Sequence, residues 1–109
     1  MQSQFVTATY QVKQEHQDAF ILLMKEAEQV MRQEQLITAQ PIFRMRSLKN
    51  PEFIMEVFEW VDEQAFEQAQ QNPKILAVWG KYQSIWEAGG FGVDRIPEAG
   101  MPWAQYSSI

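Results

Sequence analysis

The chain alternates between stretches with a two-residue hydrophobic period and stretches with a helical period. Residues 5–12 and 53–60 alternate regularly and are rich in β-branched and aromatic side chains, which predicts two strands. Residues 36–46 alternate around Pro41, which predicts a further strand at a sheet edge or with a bulge. Residues 91–96 are long enough for a short fourth strand.

Two helical stretches separate these strands. Apolar side chains recur at three- and four-residue steps over 20–31, which predicts a first helix that follows a polar turn and runs to about Gln35. Asp62 is predicted to cap the start of the second helical region. Asn72, followed by proline, is predicted to restart that region, and the glycine at 89 to end it.

The order strand, helix, strand, strand, helix, strand predicts a fold class. It is typical of the α+β, ferredoxin-like split βαβ arrangement, a four-stranded antiparallel sheet with both helices on one face. We expect residues 1–96 to form this domain. Residues 97–109 are expected to form a C-terminal tail that packs on the domain or on a partner subunit, since Trp103 and Tyr106 are too apolar for a frayed end.

The alternation along 53–60 suggests which residues meet the helices. Phe53, Met55 and Val57 form the purely apolar set, so we expect them to face the helices. The remaining set would then leave bulky apolar side chains at 54, 58 and 60 on the open face of the sheet. Because an apolar patch of that size marks an interface, we expect a homodimer, sheet against sheet, as in a dimeric α/β barrel.

Composition excludes several classes of function. The nine basic side chains are scattered and outnumbered by fourteen acidic ones, so nucleic acid is not an expected partner. Cysteine is absent and His16 is the only histidine, which argues against thiolate chemistry and a zinc site. No apolar run approaches the roughly 18 residues of a membrane span, and no signal pattern opens the chain. We therefore expect a cytoplasmic protein without membrane contact.

One stretch carries a family resemblance. Residues 56–66, EVFEWVDEQAF, resemble the third strand and the start of the second helix of the antibiotic biosynthesis monooxygenase-like family. The layout is similar from Phe5 to about Ile96. The resemblance implies a small dimeric α/β barrel. Some members oxidise polycyclic phenols or quinols with dioxygen and without a cofactor, others bind and degrade haem, and many have no established activity.

The resemblance also predicts which branch the chain departs from. The haem-degrading branch uses an asparagine on the first strand and a tryptophan and a histidine on the second helix. Thr9, Ala69 and Trp79 stand at those positions here, so we do not expect haem degradation. Several quinol-oxidising members carry a histidine near Gln70, and because glutamine cannot act as a base, that role does not carry over to this position. Since haem degradation is not expected and the phenol-oxidising members use no cofactor, we expect no cofactor.

Candidate catalytic residues follow from pairing and charge. A hairpin that turns near Asn50 places Arg44 opposite Glu56, with both side chains on the barrel-facing side. Glu56 is then a candidate base and Arg44 a candidate holder of a substrate oxyanion; the alternative is a structural ion pair that fixes the register of the dimer. His16, at the start of the first helix, is a third candidate, and its alternative is a solvated surface residue.

Aromatic side chains are the candidate binding residues. Phe58, Trp60, Trp79 and Tyr82 are placed to stack on a flat ligand, although helical spacing fits core packing as well. The functional hypothesis is a cofactor-independent monooxygenase that acts on a small phenol or quinol. The alternative hypothesis is a non-catalytic dimeric binding module for a small hydrophobic ligand.

Overall fold

The computed structural model describes residues 3–83 and 90–109. One antiparallel sheet has the strand order β4-β1-β3-β2-β5. Its first four members confirm the ferredoxin-like α+β fold, and the tail adds the fifth. The elements are β1 Gln4–Gln11, α1 Gln17–Gln33, β2 Phe43–Ser47, β3 Phe53–Trp60, α2 Ala65–Gln71, α3 Pro73–Tyr82, β4 Gly90–Phe91 and β5 Tyr106–Ser108.

The first helix is anchored at its start by a buried glutamine. The Gln17 Nε2 donates to the carbonyl oxygens of Val12 (3.1 Å) and Pro51 (2.6 Å), which ties α1 to the end of β1 and to the β2–β3 turn. Farther along α1, the buried side chains recur every three or four residues. This spacing keeps one apolar stripe against the sheet. The predicted helix is therefore confirmed, with a short 3-10 turn at Gln14–His16 before it.

The second strand is shorter than predicted. Gln35 adopts a positive φ of 59° and reverses the chain after α1. The guanidinium of Arg32 then donates to the carbonyl oxygens of Thr38 (2.9 Å) and Gln40 (3.1 Å). Because a side chain satisfies these carbonyls, the segment needs no continuous strand partner. Ile37 makes only an isolated bridge to Trp60 within the described residues, and β2 begins after Pro41.

The predicted assignment of the sheet faces is wrong. Phe58 and Trp60 pack against helical side chains such as Met31 and Ile75, and Ile54 packs against Phe20. The bulky set of β3 therefore faces the helices, and the purely apolar set of Phe53, Met55 and Val57 lies on the outer face. The prediction failed because it assumed that the face of β3 without a charged residue would be the buried one. Glu56 is buried on the helix side because Arg44, whose side chain is only 10% exposed, pairs with it there.

The end of the chain is fastened to the β2–β3 turn. The buried carboxylate of Glu98 accepts hydrogen bonds from the Ser47 hydroxyl (2.7 Å) and from the backbone N–H groups of Leu48 (2.9 Å) and Lys49 (3.2 Å). Burial alone would raise the pKa of Glu98, but these hydrogen bonds hold it below its ordinary value. Beyond this clamp, β5 pairs with β2.

Two other sequence predictions meet the structure at the helix ends. The Asn72 side chain accepts from the backbone N–H groups of Lys74 and Ile75, with Pro73 at the first helical position, so this cap is confirmed. Asp62 does not occupy the N-cap position of α2, which is Gln64. Its carboxylate instead accepts a hydrogen bond from the backbone N–H of Gln64 in the turn before the helix. The predicted helix end near residue 89 lies outside the described residues.

The predicted fourth strand over 91–96 is largely wrong. Only Gly90–Phe91 pairs with β1, and a 3-10 turn follows at Val93–Arg95. Among residues 3–83 and 90–109, no helix is long and apolar enough to cross a membrane.

Candidate functional site

A cavity of about 450 Å³ lies between the sheet and the two helices that follow β3. Its floor is formed by alternate residues of β1 and β3, which share the helix side of the sheet because of the two-residue period of strands. Its walls come from α1, α2 and α3. The lining residues are Val6, Ala8, Tyr10, Met31, Glu56, Phe58, Trp60, Phe66, Leu76, Trp79, Gly80, Tyr82 and Gln83.

Aromatic rings shape both ends of the cavity. At one end, the Trp60 ring lies 5.0 Å from Phe58 and 6.0 Å from Phe66, measured between centroids. At the other end, Tyr10 and Tyr82 meet edge to face at 5.9 Å. Edge-to-face packing fixes the planes of the interacting rings, which gives the cavity flat, apolar walls of the kind that suit a planar ligand.

A single carboxylate interrupts this apolar lining. Glu56 is only 4% exposed. On β1 its neighbour is Ala8, whose small side chain leaves space above it; on β2 its neighbour is Arg44. The Arg44 Nε donates to Glu56 Oε2 at 3.0 Å. The predicted pairing of these two residues is therefore confirmed, but on the helix side of the sheet and not on the barrel-facing side.

Arg44 is shared with a second carboxylate. Its Nη2 donates to Glu28 Oε1 at 2.7 Å and to the Met24 carbonyl oxygen at 3.3 Å, both on α1. Glu28 in turn accepts from the Nε of Arg32, one helical turn along, at 3.0 Å. The charges thus alternate along a chain of four side chains that begins at the cavity and ends near the surface.

This sharing separates the acidities of the two carboxyl groups. Burial would raise the pKa of Glu28, but hydrogen bonds from Arg44 and Arg32 hold it below its ordinary value. Burial also raises the pKa of Glu56, and here a single arginine opposes it and the charge of Glu28 adds to it, so the value is about 7. The two arginines thus favour the ionised form of Glu28, whereas burial favours the protonated form of Glu56.

The tyrosines near Glu56 are held in their neutral form. Burial, followed by the charge of Glu56, raises the pKa values of Tyr10 and Tyr82 well above the ordinary 10.0. The Tyr10 hydroxyl also hydrogen-bonds to the Glu56 carboxylate. A neutral phenol donates a hydrogen bond, so Tyr10 stabilises the ionised form of Glu56.

The structure brings together most of the site residues predicted from the sequence. Glu56, Phe58, Trp60, Trp79 and Tyr82 all line the cavity. Arg44 lies behind Glu56, buried and outside the lining. His16 is not brought to this site: its side chain is 49% exposed at the end of the first 3-10 turn, 3.7 Å from Glu15. The roles of all seven residues remain predictions.

Two residues that matter here were missed in the sequence. Tyr10 lies two residues after Ala8 on β1, and Ala8 pairs with Glu56, so all three side chains lie on the same face of the sheet. The sequence predicts this once the faces are assigned correctly. Glu28 lies one helical turn from the buried Met24, so it stands at the border of the apolar stripe of α1. From that border its carboxylate reaches the guanidinium of Arg44 between the helix and the sheet.

The residues at the haem-branch positions do not form a group. Thr9 lies on the outer face of the sheet and Ala69 is buried in the core beneath α2, while Trp79 lines the cavity. Within the described part of the chain, no three histidine, aspartate or glutamate side chains are close enough to hold a metal ion. In the lining as described, Glu56 is the one ionisable carboxyl group.

Comparison with known proteins agrees with this architecture. The family model described as antibiotic biosynthesis monooxygenase matches residues 3–79. The chain belongs to the antibiotic biosynthesis monooxygenase family. The matched region contains β1 to β3, the two carboxylates that share Arg44 (Glu56 and Glu28) and most of the cavity lining. No curated protein sequence gives a significant match.

Solved structures share the fold at low sequence identity. A conserved protein from Methanosarcina mazei Go1 is 22% identical, covering 84% of this chain and 88% of its own, with a TM-score of 0.70. An antibiotic biosynthesis monooxygenase is 22% identical over 83% of this chain and 92% of its own, with a TM-score of 0.65. A protein from Shewanella oneidensis is 18% identical over 80% and 84%, with a TM-score of 0.63. At these identities the likeness shows the fold alone.

The acidity of Glu56 predicts a pH-dependent stability difference. Its pKa is raised from 4.5 to about 7 on folding, so the folded state binds the proton more tightly than the unfolded chain. That contribution is complete below pH 4.5 and is lost as the pH rises through 7. Relative to Glu56→Gln, the wild type should therefore lose about 3 kcal/mol of unfolding free energy between pH 4.5 and 7.5.

Urea unfolding of both proteins across this pH range measures the difference. Glu67→Gln, at an exposed position on α2, serves as the control and should track the wild type within about 0.5 kcal/mol. A difference between wild type and Glu56→Gln that does not change with pH would contradict the assigned acidity.

Proposed function

We propose that the protein is a cofactor-independent monooxygenase that oxidises a phenol or quinol inside the cavity, with Glu56 as the base. Membership of the antibiotic biosynthesis monooxygenase family supports this class of reaction. The observation that carries the proposal is one buried carboxylate at the floor of an aromatic-walled cavity, where burial raises its pKa to about 7. A base matched to the operating pH is what proton abstraction from a weak acid requires.

The reaction needs a base and dioxygen but no separate reductant. Glu56 takes the proton of the ring hydroxyl, and the phenolate gives one electron to dioxygen. The radical and superoxide then combine, forming a carbon–oxygen bond at a ring carbon that carries hydrogen. Glu56 returns its proton to the peroxide, and elimination of water across the carbon–hydrogen and O–O bonds leaves a quinone carbonyl, water and the free carboxylate. The ring thus supplies all four electrons, and one oxygen atom enters the product while the other leaves in water.

The surrounding residues have separate roles in this scheme. Arg44 is a positioning residue, since its Nε holds Glu56 while Glu28 occupies its Nη2. Tyr10 donates its hydroxyl to Glu56, and Tyr82 is a neutral phenol at the same end of the cavity that suits the developing phenolate oxygen. The aromatic side chains around Trp60 form the apolar end of the cavity, which suits the ring of the substrate.

The second candidate function is a non-catalytic module that binds a hydrophobic ligand. The contact between Arg44 and Glu56 is compatible with this function, because a buried ion pair can fix the register of two strands without taking part in catalysis. Binding without oxygen uptake is the result that would establish this second function in place of the first.

Replacement of the base should abolish turnover while leaving ligand binding in place. Glu56→Gln preserves the shape of the side chain but cannot take a proton, so we expect at least a 100-fold loss of kcat with a naphthol substrate. For the wild type, kcat/KM should rise with pH and level off above about 7, following ionisation of Glu56. Oxygen-electrode assays measure both quantities.

Controls separate the base from the general effect of removing an acid. Glu67→Gln on α2 should retain wild-type turnover. With ¹⁸O₂, one labelled atom should appear in the quinone. If Glu56→Gln oxidises naphthols at the wild-type rate, the carboxyl group is not the base.

We further propose that the outer face of the sheet is the surface of a homodimer. Domains of this family commonly dimerise. Phe5 and Phe43 project from the outer face with 70% and 60% of their surface exposed, on the two strands that flank β3. Between them lies the half-buried Val57. A second copy placed face to face would remove this patch from water through a two-fold contact.

A charge placed on the outer face should dissociate this dimer. Phe43→Glu buries a carboxylate in the contact, so we expect sedimentation velocity at micromolar concentration to show a monomer where the wild type is a dimer. Leu22→Glu, at a 67% exposed position on α1, is the matched control and should remain dimeric. A monomeric wild type would contradict the proposal.

A further inference from the structure

A glycine stands where α3 borders the cavity. Gly80 lies in the last turn of this helix and lines the cavity together with Leu76 and Gln83. Spacings of four and three residues place these positions on one face of the helix. Leu76 is 46% exposed, and Gly80 and Gln83 are exposed as well, whereas Glu56 at the floor is only 4% exposed. This face of α3 therefore forms one rim of the cavity mouth.

The other rim comes from α2. Phe66 lines the same cavity and is 50% exposed, while its ring packs on the buried Trp60. A ligand that enters toward Glu56 thus passes between Phe66 and the exposed face of α3.

The backbone conformation at position 80 does not require glycine. Gly80 lies inside a regular helix, and its φ is outside the left-handed range that favours glycine. A Cβ built there meets no heavy atom of the described residues within 4 Å. Glycine is among the least favourable residues in a helix, so alanine would stabilise the fold at this position. The absent side chain therefore leaves open space at the border of the cavity.

We propose that Gly80 is a specificity-determining position that keeps the mouth open for a ligand whose far end projects past α3. The proposal rests on the proposed function, because it takes the cavity to be the substrate site. It deepens that function by naming the class of substrate: a phenol on an elongated, rigid apolar frame, with its hydroxyl at Glu56 and its far end beside Gly80. A short phenol with its hydroxyl at Glu56 is expected to occupy the inner part of the cavity and to be little affected by a side chain at position 80.

The test compares two ligands that differ only in length. They are 2-naphthol and the same ring with a rigid phenylethynyl arm at carbon 6. Titration calorimetry gives both dissociation constants for the wild type, Gly80→Ala and Gly80→Leu. Ala77→Leu adds the same side chain at an exposed position of α3 outside the cavity lining and is the matched control.

We expect Gly80→Leu to weaken the long ligand at least tenfold and 2-naphthol less than threefold, with a smaller loss in the same direction for Gly80→Ala. Gly80→Ala should also raise Tm by a few degrees. Ala77→Leu should bind both ligands as the wild type does. If Gly80→Leu does not fold, Gly80→Ala alone decides through the same ratio of affinities.

Three results would overturn the inference. They are unchanged binding of the long ligand to the Gly80 variants, equal weakening of both ligands, and a lowered Tm for Gly80→Ala. A wild type that binds neither naphthol would overturn the inference and the proposed function together. A wild type that binds both and consumes no oxygen would overturn only the proposed oxygenation and leave the assignment of Gly80 in place.

Discussion

A carboxylate taken out of water needs a positive partner, and the rest of this structure is arranged around how Glu56 obtains one. Arg44 stands opposite Glu56 on the neighbouring strand and reaches it at 3.0 Å. The same guanidinium is held at its other end by Glu28, which keeps its own charge through Arg32. Because the cation is divided between two acids, Glu56 is paired well enough to be buried and too weakly to stay ionised at every pH.

The helices cover the face of β3 that carries its bulkiest apolar side chains. Because Arg44 pairs with Glu56 on that side, the carboxylate can be buried there together with Phe58 and Trp60, which fill the core beneath the helices. The other set of side chains then turns outward, and Phe5 and Phe43 are left exposed. The cavity and the proposed dimer surface are thus two consequences of one choice of strand face.

The sequence was sufficient for the order of the elements, the antiparallel pairing and the partnership of Arg44 with Glu56, because these depend on period and turn position. It was insufficient for the choice of face. A strand face with one acidic residue among bulky apolar ones looks more solvent-facing than a purely apolar face, unless its counter-ion is known to lie on the helix side. Here Arg44 on β2 is that counter-ion, and Glu28 on α1 holds it beneath the helix, a contact that exists only once helix and sheet are packed. The break at Gln35 escaped for a similar reason, since Arg32 satisfies the carbonyls beyond it through its side chain.

The central claim is that burial raises the pKa of Glu56 to about 7 because Arg44, divided between two carboxylates, offsets the effect of burial only in part. The most direct measurement is the ¹³C chemical shift of the glutamate side-chain carboxyl groups as a function of pH, with Glu56 assigned by its loss in Glu56→Gln. The account predicts a pKa of about 7 for Glu56 and a value below the ordinary 4.5 for Glu28. A pKa near 4.5 for Glu56 would contradict it.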